Sequence, residues 1–68
     1  MNTIIYEWRY RGDIWRLEWV EHEGRKFANL RRWFWADDIL KPTKVGCTLS
    51  LDRLKELYDA LGAFLKNC

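Results

Sequence analysis

The sequence predicts an α+β fold, with four strands of one antiparallel sheet followed by a single C-terminal helix. Three observations predict it. Apolar and polar residues alternate along the first half of the chain, which is typical of strands with two different faces. Turn signals at Gly12-Asp13, His22-Glu23-Gly24 and Asp37-Asp38 separate these runs. Beyond Ser50 the apolar period changes to three and four residues, which indicates a helix.

The first two strands are predicted at Thr3–Arg11 and Ile14–Glu21, joined as a hairpin. Period two gives the first strand two faces: Ile4, Tyr6, Trp8 and Tyr10 on one, and Ile5, Glu7, Arg9 and Arg11 on the other. In the second strand, Trp15, Leu17 and Trp19 share one side, and Arg16 and Glu18 share the other. We interpret the charges Glu7, Arg16 and Glu18 as cross-strand ion-pair partners.

The third strand, Lys26–Trp35, combines bases with aromatic rings. Ala28 and Leu30 are small or apolar and are predicted to face the core, which places Arg31 and Trp33 on the opposite face. Rings occur on both sides of the strand's end, so they are difficult to bury completely. We expect some of them to stay accessible.

A basic loop, Lys41-Pro42-Thr43-Lys44, is predicted after the turn at Asp37-Asp38, because proline restricts itself and the residue before it. A solvated lysine loop without a ligand is the alternative interpretation. The fourth strand is predicted to be short, Gly46–Leu49, with Cys47 and Leu49 facing one way.

Ser50 is suited to cap the helix, and Asp52 in the first turn complements the helix dipole. The helix is predicted to continue to about Leu65 and to pack its wide apolar stripe on the sheet. The width of the stripe also suits a second subunit. The candidate dimer-interface residues are Leu54, Leu57, Tyr58, Leu61, Phe64 and Leu65.

The chain is predicted to form one domain, residues 1–68, and 68 residues bury too little apolar surface for comfortable stability alone. Five tryptophans and 49% hydrophobic residues are a surplus of apolar material. Because monomers seldom expose large apolar patches, the surplus favours a homodimer. A dense monomeric core is the alternative.

Positive charge is concentrated in the middle of the chain. Residues 25–46 contain six Lys or Arg and two Asp, whereas residues 1–24 contain three Arg and five acids. A local basic excess is a footprint for a polyanion. Cations beside flat rings on an extended backbone suit a single-stranded nucleic acid, whose phosphates pair with the cations while unpaired bases stack on the rings.

The sequence lacks the residue patterns that are typical of enzymes, metal-binding proteins and membrane proteins. Asp37-Asp38 is the only adjacent carboxylate pair and lies in a turn, and no serine near His22 could form a triad, so we expect no enzymatic activity. Cys47, Cys68 and His22 have no zinc spacing, so no metal or other cofactor is expected. No signal peptide or membrane-length apolar run is visible, which predicts a protein without a membrane partner, in the cytoplasm of a bacterial or phage-infected cell, or in the nucleus of a eukaryote.

Three segments together carry a family resemblance: Asn29-Leu30-Arg31-Arg32-Trp33-Phe34, Lys41-Pro42-Thr43-Lys44 and Gly46-Cys47-Thr48-Leu49-Ser50-Leu51. Their order and spacing resemble the transcriptional positive-coactivator family, a single-strand-binding coactivator domain of eukaryotes with bacterial and phage relatives. The resemblance covers roughly residues 22–60. It departs from the family pattern where Arg32 replaces an acid and where Val45 and Glu23 replace cations.

The resemblance implies a homodimer whose helices and curved sheets pack together and form basic channels for single strands. By position, Arg31 corresponds to a strand arginine that contacts backbone and base, and Phe34, with Trp33 beside it, to a stacking aromatic. The resemblance also implies further nucleic-acid-binding positions at His22, Arg25, Lys41 and Lys44. Arg9 and Arg11 are added from the basic pattern of the first strand.

The predicted function is therefore binding of single-stranded DNA or RNA with little sequence specificity, in support of transcription, replication or recombination. Transcription or replication proteins are further expected partners. The alternative is a protein-interaction module, in which the rings form a hydrophobic interface and the bases form its charged rim. Tryptophan and arginine are enriched at both kinds of surface, so composition does not separate the two.

Overall fold

The computed structural model describes all 68 residues as one antiparallel sheet followed by one helix. The elements are β1 (Asn2–Tyr10), β2 (Asp13–His22), β3 (Arg25–Ala36), β4 (Ile39–Leu49) and α1 (Leu51–Leu65). The strands lie side by side in chain order, β1-β2-β3-β4, so every connection within the sheet is a hairpin. The predicted fold of four antiparallel strands and a C-terminal helix is confirmed.

Two tight turns determine the register of the first three strands. Arg11 and Gly12 join β1 to β2 with φ of 53° and 84°, and Glu23 and Gly24 join β2 to β3 with φ of 51° and 79°. Two-residue loops with both φ positive match the twist of antiparallel strands. The second loop sets Arg16 of β2 directly opposite Arg31 of β3.

The fourth strand is longer than predicted, because it includes the whole segment expected to be a basic loop. Pro42 lies opposite Trp33 in the outermost strand, where the missing backbone N–H is tolerated. The pairing then shifts, so that three residues of β4 (43–45) lie opposite Arg32 alone. The Thr43 hydroxyl holds this irregular segment by donating to the Arg32 carbonyl at 2.8 Å.

A bulge at Ile5 changes the predicted faces of β1. Ile4 lies opposite Glu18, whereas Tyr6 lies opposite Leu17, so Ile4 and Tyr6 are on different faces of the sheet. The prediction that they share a face was wrong, because an extra residue in a bulge breaks the period of two. From Tyr6 onward the alternation holds.

The two faces of the sheet differ in what covers them. We call the side next to α1 the helix face, since Leu17 lines an apolar cleft there with the helix residue Leu54. Strand pairing places Ala28, Leu30, Cys47 and Leu49 on the same face. Cys47 and Leu49 thus face one way, as predicted, and they share that face with Ala28 and Leu30. The other side, which we call the open face, has no element of this chain packed over it.

The helix begins as predicted and packs less than predicted. The Ser50 hydroxyl accepts a hydrogen bond from the Arg53 N–H at 3.3 Å, which confirms the N-cap, and α1 ends at Leu65. No helix residue is buried, and only Leu54 is half-buried. The apolar stripe was predicted to pack on the sheet. Within one chain that prediction was wrong: no helix residue is buried, because the backbone of α1 comes close only to β3 and β4 and leaves an open cleft beside Ile5 and Leu17.

The chain therefore has almost no core of its own. Only Ala28, fully covered, and Glu18, 7% exposed, are buried. The radius of gyration is 13.8 Å, compared with about 11 Å for a compact domain of this length. The helix is not long and apolar enough to span a bilayer.

Candidate nucleic-acid interface

Arginines from three neighbouring strands share the open face. Glu7 of β1 pairs with Arg16 of β2, and Arg16 pairs with Arg31 of β3, so all three side chains are on one side of the sheet. The same alternation places Arg9, His22, Arg25 and Trp33 there. Five of the sequence-predicted site residues are thus brought to one surface: Arg9, His22, Arg25, Arg31 and Trp33.

Arg31 is the most firmly held cation of this face. Its Nη1 donates to the Thr43 carbonyl oxygen at 2.9 Å, and its Nε and Nη2 donate to Asn29 Oδ1 at 3.3 and 3.2 Å. These acceptors are neutral, so they orient the guanidinium without cancelling its charge. A fixed, uncompensated guanidinium is suited to bind a phosphate.

Trp33 lies beneath a second arginine. The guanidinium carbon of Arg16 is 4.8 Å from the centre of the Trp33 ring, and Arg16 Nε donates to Glu7 Oε2 at 2.9 Å. The predicted ion pair between Glu7 and Arg16 is therefore present, whereas Glu18, also predicted as a cross-strand partner, forms no ion pair. Trp33 is half-buried, and one side of its indole carries Arg16. A flat, cationic platform results on the open face.

A second pair of predicted residues lies at the far end of the same face. His22 and Arg25 are opposite each other beside the Glu23-Gly24 loop, and both are exposed. The Arg25 guanidinium carbon is 5.6 Å from the Phe27 ring centre. This end therefore offers another cation next to a ring, separated from Arg31 by five pairs of residues along the strands, two of them on the open face.

Phe34 and Lys41 lie elsewhere. They are paired across β3 and β4, and Phe34 follows Trp33 in an extended strand, so its side chain belongs to the helix face. Phe34 is 38% exposed at the end of the sheet. A strand on the open face reaches it only by passing around that end. The contact of Phe34 and Lys41 with nucleic acid stays a prediction.

The remaining two cations flank these surfaces. Lys44 is exposed and directly follows Thr43, whose carbonyl holds Arg31, so it belongs to the irregular segment beside that arginine. Arg11 is in the β1–β2 loop, with its guanidinium carbon 5.2 Å from the Tyr10 ring centre. Arg11 is thus at the tip of a hairpin and away from the central platform.

Three contributors were missed from the sequence: Arg16, Asn29 and Thr43. Arg16 was interpreted only as an ion-pair partner, although a two-residue loop at Glu23-Gly24 already implies that it faces Arg31. Asn29 alternates with Arg31 and could have been found by the same period. Thr43 had no comparable signal, since its position depends on the irregular pairing of β4.

The remaining chemistry of the described surface is limited. No group of three or more His, Cys, Asp or Glu side chains could hold a metal ion. Cys47 and Cys68 are free and exposed. Arg32, which stands where the family resemblance has an acid, is 3.6 Å from Asp13 on the helix face. The open face brings together cations and flat rings, namely Arg9, Arg16, Arg25, Arg31, Phe27 and Trp33.

A family model described as Transcriptional Coactivator p15 (PC4) matches residues 11–60. The chain belongs to this family. The match contains β2, β3 and β4 completely and extends to the middle of α1, while β1 lies outside it. It confirms the resemblance drawn from the β3 and β4 motifs and extends it back to the first hairpin loop.

The PC4 family is a non-enzymatic, DNA-binding coactivator domain that binds single-stranded DNA and interacts with transcription factors. No curated protein and no solved structure gave a significant match to the chain. Family membership thus supports a general role in binding single-stranded DNA.

Proposed function

We propose that this chain is a homodimeric protein that binds single-stranded DNA with little sequence specificity, in support of transcription, replication or recombination. The observation that carries the proposal is the open face, where Arg31 is held by neutral acceptors next to the Arg16–Trp33 platform. The face is uncovered, and the central residues are half-buried rather than sealed inside. RNA would present the same phosphates and unpaired bases.

The chemistry favours single strands over duplex. Guanidinium groups and rings alternate within short distances on a sheet, and unpaired bases can lay their flat faces on such a surface. In a duplex those faces are stacked inside the helix. The contacts to phosphate and to flat rings carry no base identity, so little sequence preference is expected.

The homodimer is supported by what one chain leaves uncovered. Two of 68 residues are buried, and the helix stripe is exposed along its length, with Tyr58 at 76% and Phe64 at 67%. An apolar cleft of about 320 Å³ lies between α1 and the sheet. Monomers rarely expose apolar surface on this scale, and a second copy would cover it. The proposed interface is the stripe named above, with the helix face of the sheet.

The proposal is tested by titrating oligo-dT at two salt concentrations while the mass of the protein is measured in the same samples. Affinity should fall steeply with salt, because each neutralised phosphate releases counterions. The mass should be that of two chains. Absence of oligo-dT binding at low salt would contradict the nucleic-acid function, and a mass of one chain would contradict the dimer.

Trp33→Ala is expected to weaken oligo-dT binding by about 1–3 kcal/mol, the usual loss on removing a stacking platform. Trp15→Ala is the matched control for removal of a half-buried indole, because Trp15 lies on the helix face, where it stacks on Trp8 at 6.0 Å. Since that face belongs to the proposed dimer interface, the mass of each variant is measured in the same samples. The measurement is a fluorescence titration of each variant with labelled oligo-dT. Equal affinities for the Trp33 variant and the unaltered protein would remove Trp33 from the site.

Phe34→Ala tests whether the bound strand passes around the end of the sheet. Because Phe34 is on the helix face beside Lys41, a loss of about 1–3 kcal/mol would place nucleic acid on both sides of β3. Lys41→Ala should then also lower the salt dependence of binding. Unchanged binding by both variants would confine the strand to the open face.

A protein-interaction module is the second candidate. The observation that favours it is β1, where every residue is exposed and Ile5, Tyr6, Trp8 and Tyr10 are among the exposed apolar side chains. Such a surface suits a protein partner. A protein partner held by β1 would bind with little salt dependence, which separates this function from the first.

A further inference from the structure

Arg16 and Arg31 form an unfavourable pair in the free protein. They are directly opposite each other on β2 and β3 and project from the same face. Residues paired in this way have Cβ atoms about 5 Å apart, and like charges there are destabilising. Two arginines in such a position need a counter-charge, which in this chain comes from only one side.

The counter-charge is Glu7, and it contacts Arg16 alone. Arg16 Nε is 2.9 Å from Glu7 Oε2, whereas Arg31 donates only to Asn29 and Thr43. The open face has one other carboxylate near this pair, Glu18, which makes no ion pair within 4 Å. Two guanidinium groups therefore share one paired acid.

The Trp33 ring beneath Arg16 restricts the positions that the Arg16 guanidinium can occupy. Its guanidinium lies over the Trp33 ring at 4.8 Å, and its side chain is only 18% exposed. Arg31 is similarly restrained by its three hydrogen bonds. Both cations are thus oriented before a ligand arrives. Less side-chain conformational entropy is therefore lost when the ligand binds.

We propose that Arg16 and Arg31 together bind one phosphodiester group of the strand, and that Glu7 occupies Arg16 until the strand arrives. The proposal rests on the proposed single-strand binding and adds to it a phosphate site and an internal competitor. A carboxylate and a phosphate present similar pairs of oxygens to a guanidinium, so one can replace the other. Glu7 then lowers affinity while it relieves the repulsion between the arginines.

Three variants test the site. Arg16→Gln should weaken oligo-dT binding about tenfold, as expected for one charged hydrogen-bonding group, and should reduce the slope of log affinity against log salt by about 1. Glu7→Gln should tighten binding about two- to fivefold, the range that one partly exposed ion pair is worth. Arg16→Lys keeps the positive charge but lacks the planar guanidinium. It should therefore bind oligo-dT more weakly than the unaltered protein while keeping the same salt slope.

Glu56→Gln is the matched control for Glu7→Gln. Glu56 pairs with Arg53 on α1 at 2.7 Å, so its loss changes the net charge and breaks an ion pair in the same way, away from the open face. Glu56→Gln should leave the affinity unchanged. If both glutamine variants tighten binding equally, the effect is one of net charge, and the competitor is excluded.

The two levels of the proposal can fail separately. If the unaltered protein does not bind oligo-dT, the proposed function itself fails. If it binds, and Trp33→Ala weakens it while folded Arg16→Gln protein binds with unaltered affinity and salt slope, only the Arg16–Arg31 phosphate site is overturned. Circular dichroism of each variant verifies that it is folded.

Discussion

Gly46→Ala is expected to destabilise the protein by about 2–5 kcal/mol, as the sum of backbone strain and steric overlap. Gly46 has a backbone φ of 150°, a conformation that residues other than glycine rarely adopt. A Cβ there would overlap the Leu30 carbonyl oxygen and lie 2.8 Å from the Arg31 Cα. Both atoms are backbone, so a small side-chain shift cannot relieve the overlap. Strand β4 would have to move away from β3.

Gly24→Ala is the control for Gly46→Ala. Gly24 also has a positive φ, 79°, but nothing lies within 4 Å of the position that a Cβ would take there. Its alanine variant should therefore lose only the backbone term, about 1–2 kcal/mol. Denaturant unfolding of both variants at one protein concentration measures the difference. Equal losses would show that the close approach of β4 to β3 contributes nothing.

Gly46→Ala should also weaken binding of oligo-dT, because Gly46 is paired with Arg31. Displacement of β4 would move the Thr43 carbonyl that accepts from Arg31 at 2.9 Å. The close packing of β4 on β3 at Gly46 therefore also supports the position of Arg31, a proposed ligand contact. Folded Gly46→Ala protein is expected to bind oligo-dT more weakly than Gly24→Ala protein.

Leu61→Asp is expected to dissociate the proposed dimer and to unfold the separated chains at lower temperature. Leu61 lines the cleft between α1 and the sheet and is 49% exposed in one chain. Loss of two buried leucines per dimer removes about 3–6 kcal/mol, which raises the dissociation constant by about 100-fold or more. The isolated chain buries too little to compensate. Sedimentation over a range of concentrations and thermal unfolding measure both effects.

Ala63→Asp is the control for Leu61→Asp. It introduces the same charge two residues later, on the side of α1 away from the apolar stripe, and Ala63 is exposed. It should leave the mass of two chains unchanged and lower the melting temperature only slightly. Dissociation by both variants would mean that helix stability, and not the stripe, holds the subunits together.

Local pattern was sufficient for most of the fold. The alternation in β2, in β3 and in β1 from Tyr6 onward, the turn at Glu23-Gly24 and the Ser50 cap depend on residues close in sequence, and each is present. The first turn lies at Arg11-Gly12, one residue before the predicted Gly12-Asp13. The fourth strand was underestimated because Pro42 indicates a loop unless the strand is known to be outermost. Strand order, which only the assembled sheet has, makes Pro42 acceptable.

The candidate site was predictable in part. Arg31 and Trp33 were expected on the face opposite Ala28, and the pairing places them there. The separation of Phe34 and Lys41 onto the helix face also follows from the alternation, but the family resemblance had grouped them with Trp33. The contact between the Arg16 guanidinium and the Trp33 ring could not be predicted from the sequence, because it depends on the register of two strands and on side-chain positions.

The sequence by itself determined the order and type of the elements, the positions of two turns, the helix cap and the gathering of positive charge in β3 and β4. These are properties of composition and period, which short segments of chain carry without their neighbours. Only the tertiary structure decided that Ile4 and Tyr6 lie on different faces and that the Thr43 carbonyl reaches Arg31, because a bulge at Ile5 and a shift of pairing beside Gly46 change which residues face each other. It also decided that α1 leaves its apolar stripe uncovered, since the direction of a helix relative to a sheet depends on contacts between distant residues.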